Sequence, residues 1–253
     1  MLKKSCYALS VIVLMACGAG PAMALSIGAS INASTGESMV YHEIPFDTKG
    51  RNEKYAFIYQ DYGYVSSIGG GLVIDDERAD GNYIHRYNIT MDRYSISKGS
   101  QQVLYRFSFV NTFCFVVSKN DYYKFWLGPQ IGVRYLFGKT NYNYFDSNPL
   151  PNAILYSYYI PVPLLSYKYG KAKYNLAGLD LGLVAGLNVD LKKYVTLSTS
   201  GGIRYGATAG GMSFRNGGLF QKNRIAFSHG YEAFVDFSIM YQLDSRQTDK
   251  KAG

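Results

Sequence analysis

Apolar and polar side chains alternate along residues 176–191, LAGLDLGLVAGLNVDL. Every second residue from Ala177 to Leu191 is apolar, and the residues between them are mostly glycine, asparagine or aspartate, with Val184 as the exception. A period of two is the period of a β-strand, because successive side chains leave a strand on opposite faces. The segment therefore predicts a strand with one apolar face and one small or charged face.

The same alternation recurs along the chain and predicts strands separated by turns and loops, with no helix after the N-terminal segment. The predicted strands are eight in number and cover residues 25–34, 62–74, 83–96, 103–117, 123–138, 176–191, 194–208 and 231–243.

These predicted strands are long, and their polar faces are rich in glycine. A soluble β-sandwich uses strands of about 5 to 6 residues and presents its polar face to water, where glycine has no advantage. A membrane barrel needs about 10 alternating residues per crossing, with lipid outside and small or polar side chains inside. We therefore expect the apolar faces to contact lipid. The sequence predicts an all-β fold, an eight-stranded antiparallel up-and-down transmembrane β-barrel.

The predicted connections differ in length at the two ends of this barrel. With the N-terminus in the periplasm, the periplasmic links are short, at 75–82, 118–121 and Lys192-Lys193. Three of the external links are long, at 35–61, 139–175 and 209–230, and the fourth, at 97–102, is short. Short periplasmic turns and long external loops are typical of membrane barrels. An even number of strands also lets the first and last strands pair, which removes the sheet edges.

The two ends of the sequence have the composition of processing and tail segments. Two lysines precede an apolar run at 8–16, and Ala22-Met23-Ala24 follows, which predicts a secretory signal peptide over residues 1–24. An alternative is cleavage before Cys17, which would leave that cysteine acylated. We expect the barrel to occupy residues 25–243 and a polar periplasmic tail to occupy residues 244–253.

At this point the chain resembles the small outer-membrane β-barrel proteins of Gram-negative bacteria, the group that contains the outer membrane protein A barrel and the outer membrane protein W family. The most family-like segments are WLGPQIGVRY (126–135), GLDLGLVAGLNVDL (178–191) and the aromatic closing strand that ends at Tyr241-Gln242-Leu243. The resemblance implies a porin-like cell-surface protein of the outer membrane. It covers nearly the whole predicted barrel. In this chain a polar tail follows the closing strand, where such barrels often end on an aromatic residue.

Charged residues on the polar faces predict a cluster inside the barrel. An eight-stranded barrel is just wide enough to be filled by side chains, and a charge in such a lumen needs a partner. We expect a salt-bridged plug in the outer half of the lumen, which we favour over an ion gate. The expected members are Arg106, Arg134, Asp180, Arg204, Glu232 and Asp236.

The external link at 139–175 combines tyrosines, aliphatic residues and lysines. Its uncharged part, 147–167, contains four prolines, which argues against a membrane helix. Aromatic anchors with interleaved lysines suit the phosphates and sugars of lipopolysaccharide, or a protein partner; the alternative is a loop that only folds over the barrel mouth. The candidate binding residues are Tyr156, Tyr158, Tyr159, Tyr167, Lys168 and Lys171.

The sequence offers little for catalysis. The only histidines are His42, His85 and His229, and their spacing does not fit a metal site. Ser228 and His229, with Glu232 near, could serve a rim-located enzyme that modifies lipid A. Adjacent residues of a strand point to opposite faces, however, so Ser228 and His229 would meet only in a loop. We therefore expect no enzymatic activity, no metal and no cofactor.

Charge and composition limit the classes of partner that this chain could bind. The formal net charge is +8, with 25 tyrosines, 14 phenylalanines and one tryptophan. A basic, tyrosine-rich chain suits an anionic lipid surface, and the scattered charge together with export argues against nucleic acid. The favoured function is a non-enzymatic outer-membrane barrel that contacts outer-membrane lipid, lipopolysaccharide or an external protein. The alternatives are a narrow channel or conduit for small hydrophobic molecules, and the lipid A-modifying enzyme.

Overall fold

The computed structural model describes residues 24–47, 54–98, 100–142, 153–154, 170–192, 194–216, 219–220 and 224–243. The long strands are β1 (Ala24–Asp47), β2 (Lys54–Glu77), β3 (Tyr83–Lys98), β4 (Ser100–Lys119), β5 (Tyr123–Tyr142), β6 (Gly170–Lys192), β7 (Val195–Asn216) and β8 (Arg224–Gln242). Each predicted strand lies inside one of these strands, except that residues 194 and 243 fall one residue outside, so the predicted all-β fold is confirmed. In the described part of the chain, no helix is long and apolar enough to cross a membrane.

The sheet closes on itself. Each strand pairs antiparallel with its neighbours in the chain, and β1 pairs with both β2 and β8. Ile27, for example, lies opposite Ile74 of β2 and opposite Tyr241 of β8. Two short segments add to this sheet: Ala153–Ile154 pairs with β2, and Leu219–Phe220 pairs with β7. The predicted eight-stranded up-and-down barrel is therefore confirmed.

The strands are longer than the alternation predicted, and the predicted links are wrong over much of their length. Strand residues replace predicted loop at 35–47, 54–61, 75–77, 118–119, 139–142, 170–175, 192, 209–216 and 224–230, and nearly all of 97–102. A strand of 24 residues spans roughly 80 Å, whereas about 9–11 residues cross a bilayer. Beyond the bilayer an outward side chain need not be apolar. The alternation therefore lapses there while the backbone pairing continues.

The apolar face of each strand points out of the barrel. On β6, Leu181 and Leu183 are 58% and 62% exposed, whereas Asp180 is fully buried. On β5 the outward row is apolar from Tyr123 to Phe137. This arrangement inverts that of a soluble protein, and a lipid bilayer is the environment that accommodates an apolar surface of this extent.

Short turns join the strands at one end of the barrel. The turns at 78–82 and 120–122 and the connection between β6 and β7 lie at one end, which is called the turn end, and the opposite end is called the loop end. Gly81 has a φ of 64°, a value that favours glycine, and its amide donates to the Arg78 carbonyl at 2.9 Å. The Lys119 ammonium donates to Asn82 Oδ1 at 2.7 Å and joins this turn to β4.

The lumen is packed with side chains. Trp126, the single tryptophan, is fully buried in an inward apolar cluster with Ile84, Cys114 and Val184. Gly186 lies beside it on β6, and a Cβ at that position would overlap the indole ring. Glycine on the inward face thus makes room for large side chains, as the glycine-rich polar faces of the sequence suggest.

We predict that Gly186→Val destabilises the barrel by about 1–3 kcal/mol, because the added methyl groups displace the Trp126 indole. The measurement is the temperature at which the folded band on a gel converts to the slower unfolded band. Ala185→Val is the matched control, because Ala185 is the adjacent residue and faces outward. Equal conversion temperatures for the two variants would show that the indole does not pack against Gly186.

Candidate functional site in the barrel lumen

The six charged residues predicted to face inward all lie on the lumen side of their strands. Arg106, Arg134, Asp180, Glu232 and Asp236 are buried, and the Arg204 side chain is 10% exposed. They come from five different strands, β4 to β8. Inward projection from facing walls of a narrow barrel therefore brings together residues that are far apart in the sequence.

The Glu232 carboxylate is at the centre of this group. It binds Arg106 Nη1 at 2.6 Å, Arg204 Nη2 at 2.7 Å and Arg134 Nη1 at 3.0 Å. The Ser34 hydroxyl, on β1, donates a further hydrogen bond to Glu232 Oε2 at 2.8 Å. One carboxylate from β8 thus connects to β1, β4, β5 and β7 across the lumen.

Two aspartates complete the charge balance of the three arginines. Asp92 of β3 binds Arg106 Nη2 at 2.7 Å, and Asp180 of β6 forms an ion pair with Arg134. Three guanidinium groups therefore meet three carboxylates, which is the condition under which buried charges are tolerated. We call Asp92, Arg106, Arg134, Asp180, Arg204 and Glu232 the ion network. Asp92 was not predicted, although it shares the inward face of β3 with Thr90.

Glycines on the neighbouring strands leave space for this network. A Cβ at Gly206 would overlap the Arg134 guanidinium and the Asp180 carboxylate, and a Cβ at Gly69 would overlap Asp92. The small inward residues and the large charged ones are therefore complementary in shape.

A second polar group, the turn-end cluster, was missed by the sequence analysis. Arg86 of β3 binds the two oxygens of Asp75 at 2.7 and 2.6 Å and also donates to Asn188 Oδ1 at 3.1 Å. Its guanidinium lies 4.8 Å from the centre of the Trp126 ring, whose Nε1 also donates to Asn188 Oδ1, at 3.0 Å. The sequence analysis did not predict this cluster because it assigned Asp75 to a turn, whereas β2 continues through Asp75 to Glu77.

Asp236 is buried but takes part in no ion pair with the described residues. It lines a cavity of about 30 Å³ together with Asn88, Gln130 and Arg204. This polar gap separates the ion network from the turn-end cluster.

Apolar side chains fill the lumen on the loop-end side of the ion network. Tyr94 joins the two layers, because the Arg106 guanidinium lies 5.0 Å from the centre of its ring. Tyr174, which was predicted to lie in the external loop, is buried in this layer because β6 begins at Gly170. The layer consists of Val65, Tyr94, Ile96, Leu104, Leu136, Tyr174, Leu176 and Ala226.

The fold of this chain is similar to that of several solved outer-membrane barrels. The outer membrane protein OprG from Pseudomonas aeruginosa has a TM-score of 0.50 and 8% identity, over 88% of this chain and 97% of that chain. Neisserial surface protein A has a TM-score of 0.31 and 12% identity, over 82% and 95%. The outer membrane protease OmpT from Escherichia coli has a TM-score of 0.30 and 7% identity, over 88% and 99%. No protein-family model matches the sequence, and no curated protein matches it significantly.

The likeness to OprG is one of fold, and the apolar outer face of this chain requires a bilayer. The chain is a β-barrel of the outer-membrane type. Both ends of its described barrel, Ala24 and Leu243, lie at the turn end. The turn end is therefore the periplasmic end in the usual orientation of such barrels, and the loop end faces outward.

The outer-membrane barrel does not bring Ser228 and His229 together. Both lie within β8, so their side chains leave on opposite faces. The Ser228 hydroxyl is in the lumen, 3.0 Å from Ser38 Oγ, whereas the His229 ring lies outside, beside Tyr205 and Phe227. This geometry does not form the nucleophile and base that a lipid A-modifying enzyme needs.

The predicted external binding residues lie almost entirely outside the described residues of the outer-membrane barrel. Tyr156, Tyr158, Tyr159, Tyr167 and Lys168 fall in the range 155–169, which the structure does not describe. Lys171 was predicted to lie in the loop, and this is wrong: it is in β6, paired with Asn141 and Arg215. Among the described residues, no group of three histidine, cysteine or acidic side chains could hold a metal ion.

We predict that Glu232→Gln lowers the free energy of unfolding of the outer-membrane barrel by about 3–5 kcal/mol, because it leaves buried arginines without their shared carboxylate. The gel conversion temperature measures the effect. Glu37→Gln is the matched control, because it makes the same change at an exposed outward residue of β1. If both variants convert at the wild-type temperature, Glu232 does not hold the network together.

Proposed function

We propose that this protein is a non-enzymatic outer-membrane barrel with a lumen closed to solutes and external loops that contact lipopolysaccharide or an external partner. The observation that carries the first part is the Glu232 carboxylate, which is bound by arginines from three other strands. The contacts with Arg106 of β4 and Arg134 of β5 cross the bore of a narrow barrel, and Arg204 lies opposite Glu232 on the adjacent strand. A solute would have to break several buried ion pairs to pass.

The layers on either side of the ion network support a closed lumen. The buried apolar layer lies on its loop-end side, and Arg86, Asp75 and the Trp126 indole lie on its turn-end side. The described cavity between the two charged layers, at about 30 Å³, is smaller than a hydrated ion needs.

The proposed external contact rests on composition and on the outward orientation of the loop end. The net charge is +8, and the sequence between β5 and β6 carries Tyr156, Tyr158, Tyr159, Tyr167 and Lys168. Tyrosine rings with adjacent lysines suit a surface of phosphates and sugars or a protein partner.

One observation favours a second candidate function, a conduit for small hydrophobic molecules. The lumen on the loop-end side of the ion network is lined mainly by apolar side chains. A hydrophobic molecule could displace packed side chains such as Leu104 and Leu176 at a lower free-energy cost than an ion could break the network.

We predict that the wild-type protein gives no stepwise conductance in planar lipid bilayers. The double variant Arg106→Ala/Glu232→Ala removes the side chains that cross the bore and is expected to produce small conductance steps. Stepwise conductance of the wild type would contradict the closed lumen. The wild-type measurement tests the closed lumen even if the double variant fails to fold.

A further inference from the structure

A groove crosses the lipid-facing wall of the barrel at β4, β5 and β6. Its volume is about 480 Å³, and its outward lining includes Phe107, Val133, Tyr135, Ala177 and Leu179. All five are on the outer face, in the part of the apolar band nearest the loop end. The groove therefore opens toward lipid and not toward the lumen.

Small residues lie in this depression and beside it. Ala177 of β6 lines the groove and pairs with Ala209 of β7. Two residues further toward the loop end, Asn175 lies opposite Gly211, which has open space where a Cβ would be. Aromatic rings border the depression on the β5 side, where the ring centroids of Tyr135 and Phe137 are 5.5 Å apart. The result is an apolar trough with a floor of small residues and an aromatic wall, a shape that fits a hydrocarbon chain.

Two lysines stand at the loop-end head of this trough. Lys139 of β5 and Lys173 of β6 are direct cross-strand partners, and both side chains are exposed. Like charges directly opposite each other destabilise a sheet. Within the described part of the chain neither lysine takes part in an ion pair, so the pair presents two positive charges to an anion.

The spacing between the lysine pair and the groove suits a lipid with an anionic head. Lys139 and Tyr135 are four residues apart on one strand, or about 13 Å. Between them the Tyr135 hydroxyl donates to Asn175 Oδ1 at 3.1 Å, which joins β5 to β6 across the trough. A phosphate at the lysines would place an attached acyl chain along Phe137 and Tyr135 toward Leu179.

We propose that this trough and its lysine pair form a binding site for lipopolysaccharide, with a lipid A phosphate at Lys139 and Lys173 and an acyl chain in the groove. The proposal rests on the proposed function in that the loop end faces outward, and it places the contact on the barrel wall. The lysine pair lies at the outer end of the apolar band, where the phosphates of the outer leaflet lie. A lipid A phosphate is a monoester with a charge of about −1.5 to −2 at neutral pH, whereas a phosphodiester carries only one negative charge, so the monoester matches two adjacent lysines better.

The test is native mass spectrometry of the full-length barrel in detergent, titrated with purified lipopolysaccharide, with dephosphorylated lipopolysaccharide and with phosphatidylglycerol. Lys139→Gln/Lys173→Gln is expected to weaken lipopolysaccharide binding roughly 10- to 30-fold, since each lysine near an anionic surface contributes about 1 kcal/mol. Lys139→Arg/Lys173→Arg, which keeps both charges, should bind as the wild type does. The wild type should bind the dephosphorylated form as weakly as the double glutamine variant binds the intact one.

A second pair of variants tests the groove itself. Ala177→Phe fills the trough and is expected to weaken lipopolysaccharide binding, whereas Ala185→Phe makes the same change on the outward face of β6 nearer the turn end and should have no effect. All four positions are outward and exposed, so the gel conversion should stay normal.

The possible results separate the wall site from the proposed function. Wild-type binding of lipopolysaccharide that neither the double glutamine variant nor Ala177→Phe weakens would overturn the wall site and leave the loop contact standing. No binding of lipopolysaccharide by the wild type would overturn the wall site and also the lipopolysaccharide contact of the proposed function. Equal binding of phosphatidylglycerol, lost in the same variants, would overturn the assignment to lipopolysaccharide.

Discussion

The pairing of β1 with both β2 and β8 is the constraint on which the rest of this structure depends. In the hydrocarbon core of a bilayer no water can satisfy a backbone amide or carbonyl, so a sheet must close without an edge. Closure with eight strands fixes a narrow bore, and a narrow bore must be filled by side chains. The inward glycines, the paired charges and the outward apolar rows are all consequences of that closure.

The ion network resolves the conflict between a polar inner face and a dry lumen. An isolated guanidinium there would be costly, but Arg106, Arg134 and Arg204 share Glu232 and have Asp92 and Asp180 as further partners. Buried ion pairs are weak evidence for stability relative to an apolar core, yet removal of one member is strongly destabilising. The network therefore connects strands that face each other across the bore. It is also the basis of the closed lumen that we propose.

The sequence predicted the strands, their inward and outward faces and most of the charged residues in the lumen, because the alternation of apolar and polar side chains shows which residues share a face. It could not predict where the strands end at the loop end, since the outward alternation lapses beyond the bilayer. Tyr174 and Lys171 were assigned to a loop for this reason, and Asp75 to a turn at the other end. The choice of Asp92 as partner of Arg106 depends on strand register, which alternation alone does not give.

The most direct test of the account is the position of the single tryptophan relative to lipid. Trp126 is fully buried in the lumen, whereas Leu183 is 62% exposed on the outer face. In vesicles of lipids brominated on their acyl chains, the fluorescence of wild-type Trp126 should be weakly quenched. That of the Trp126→Phe/Leu183→Trp variant should be strongly quenched. The reverse order would mean that the polar faces contact lipid, and it would contradict the barrel described here.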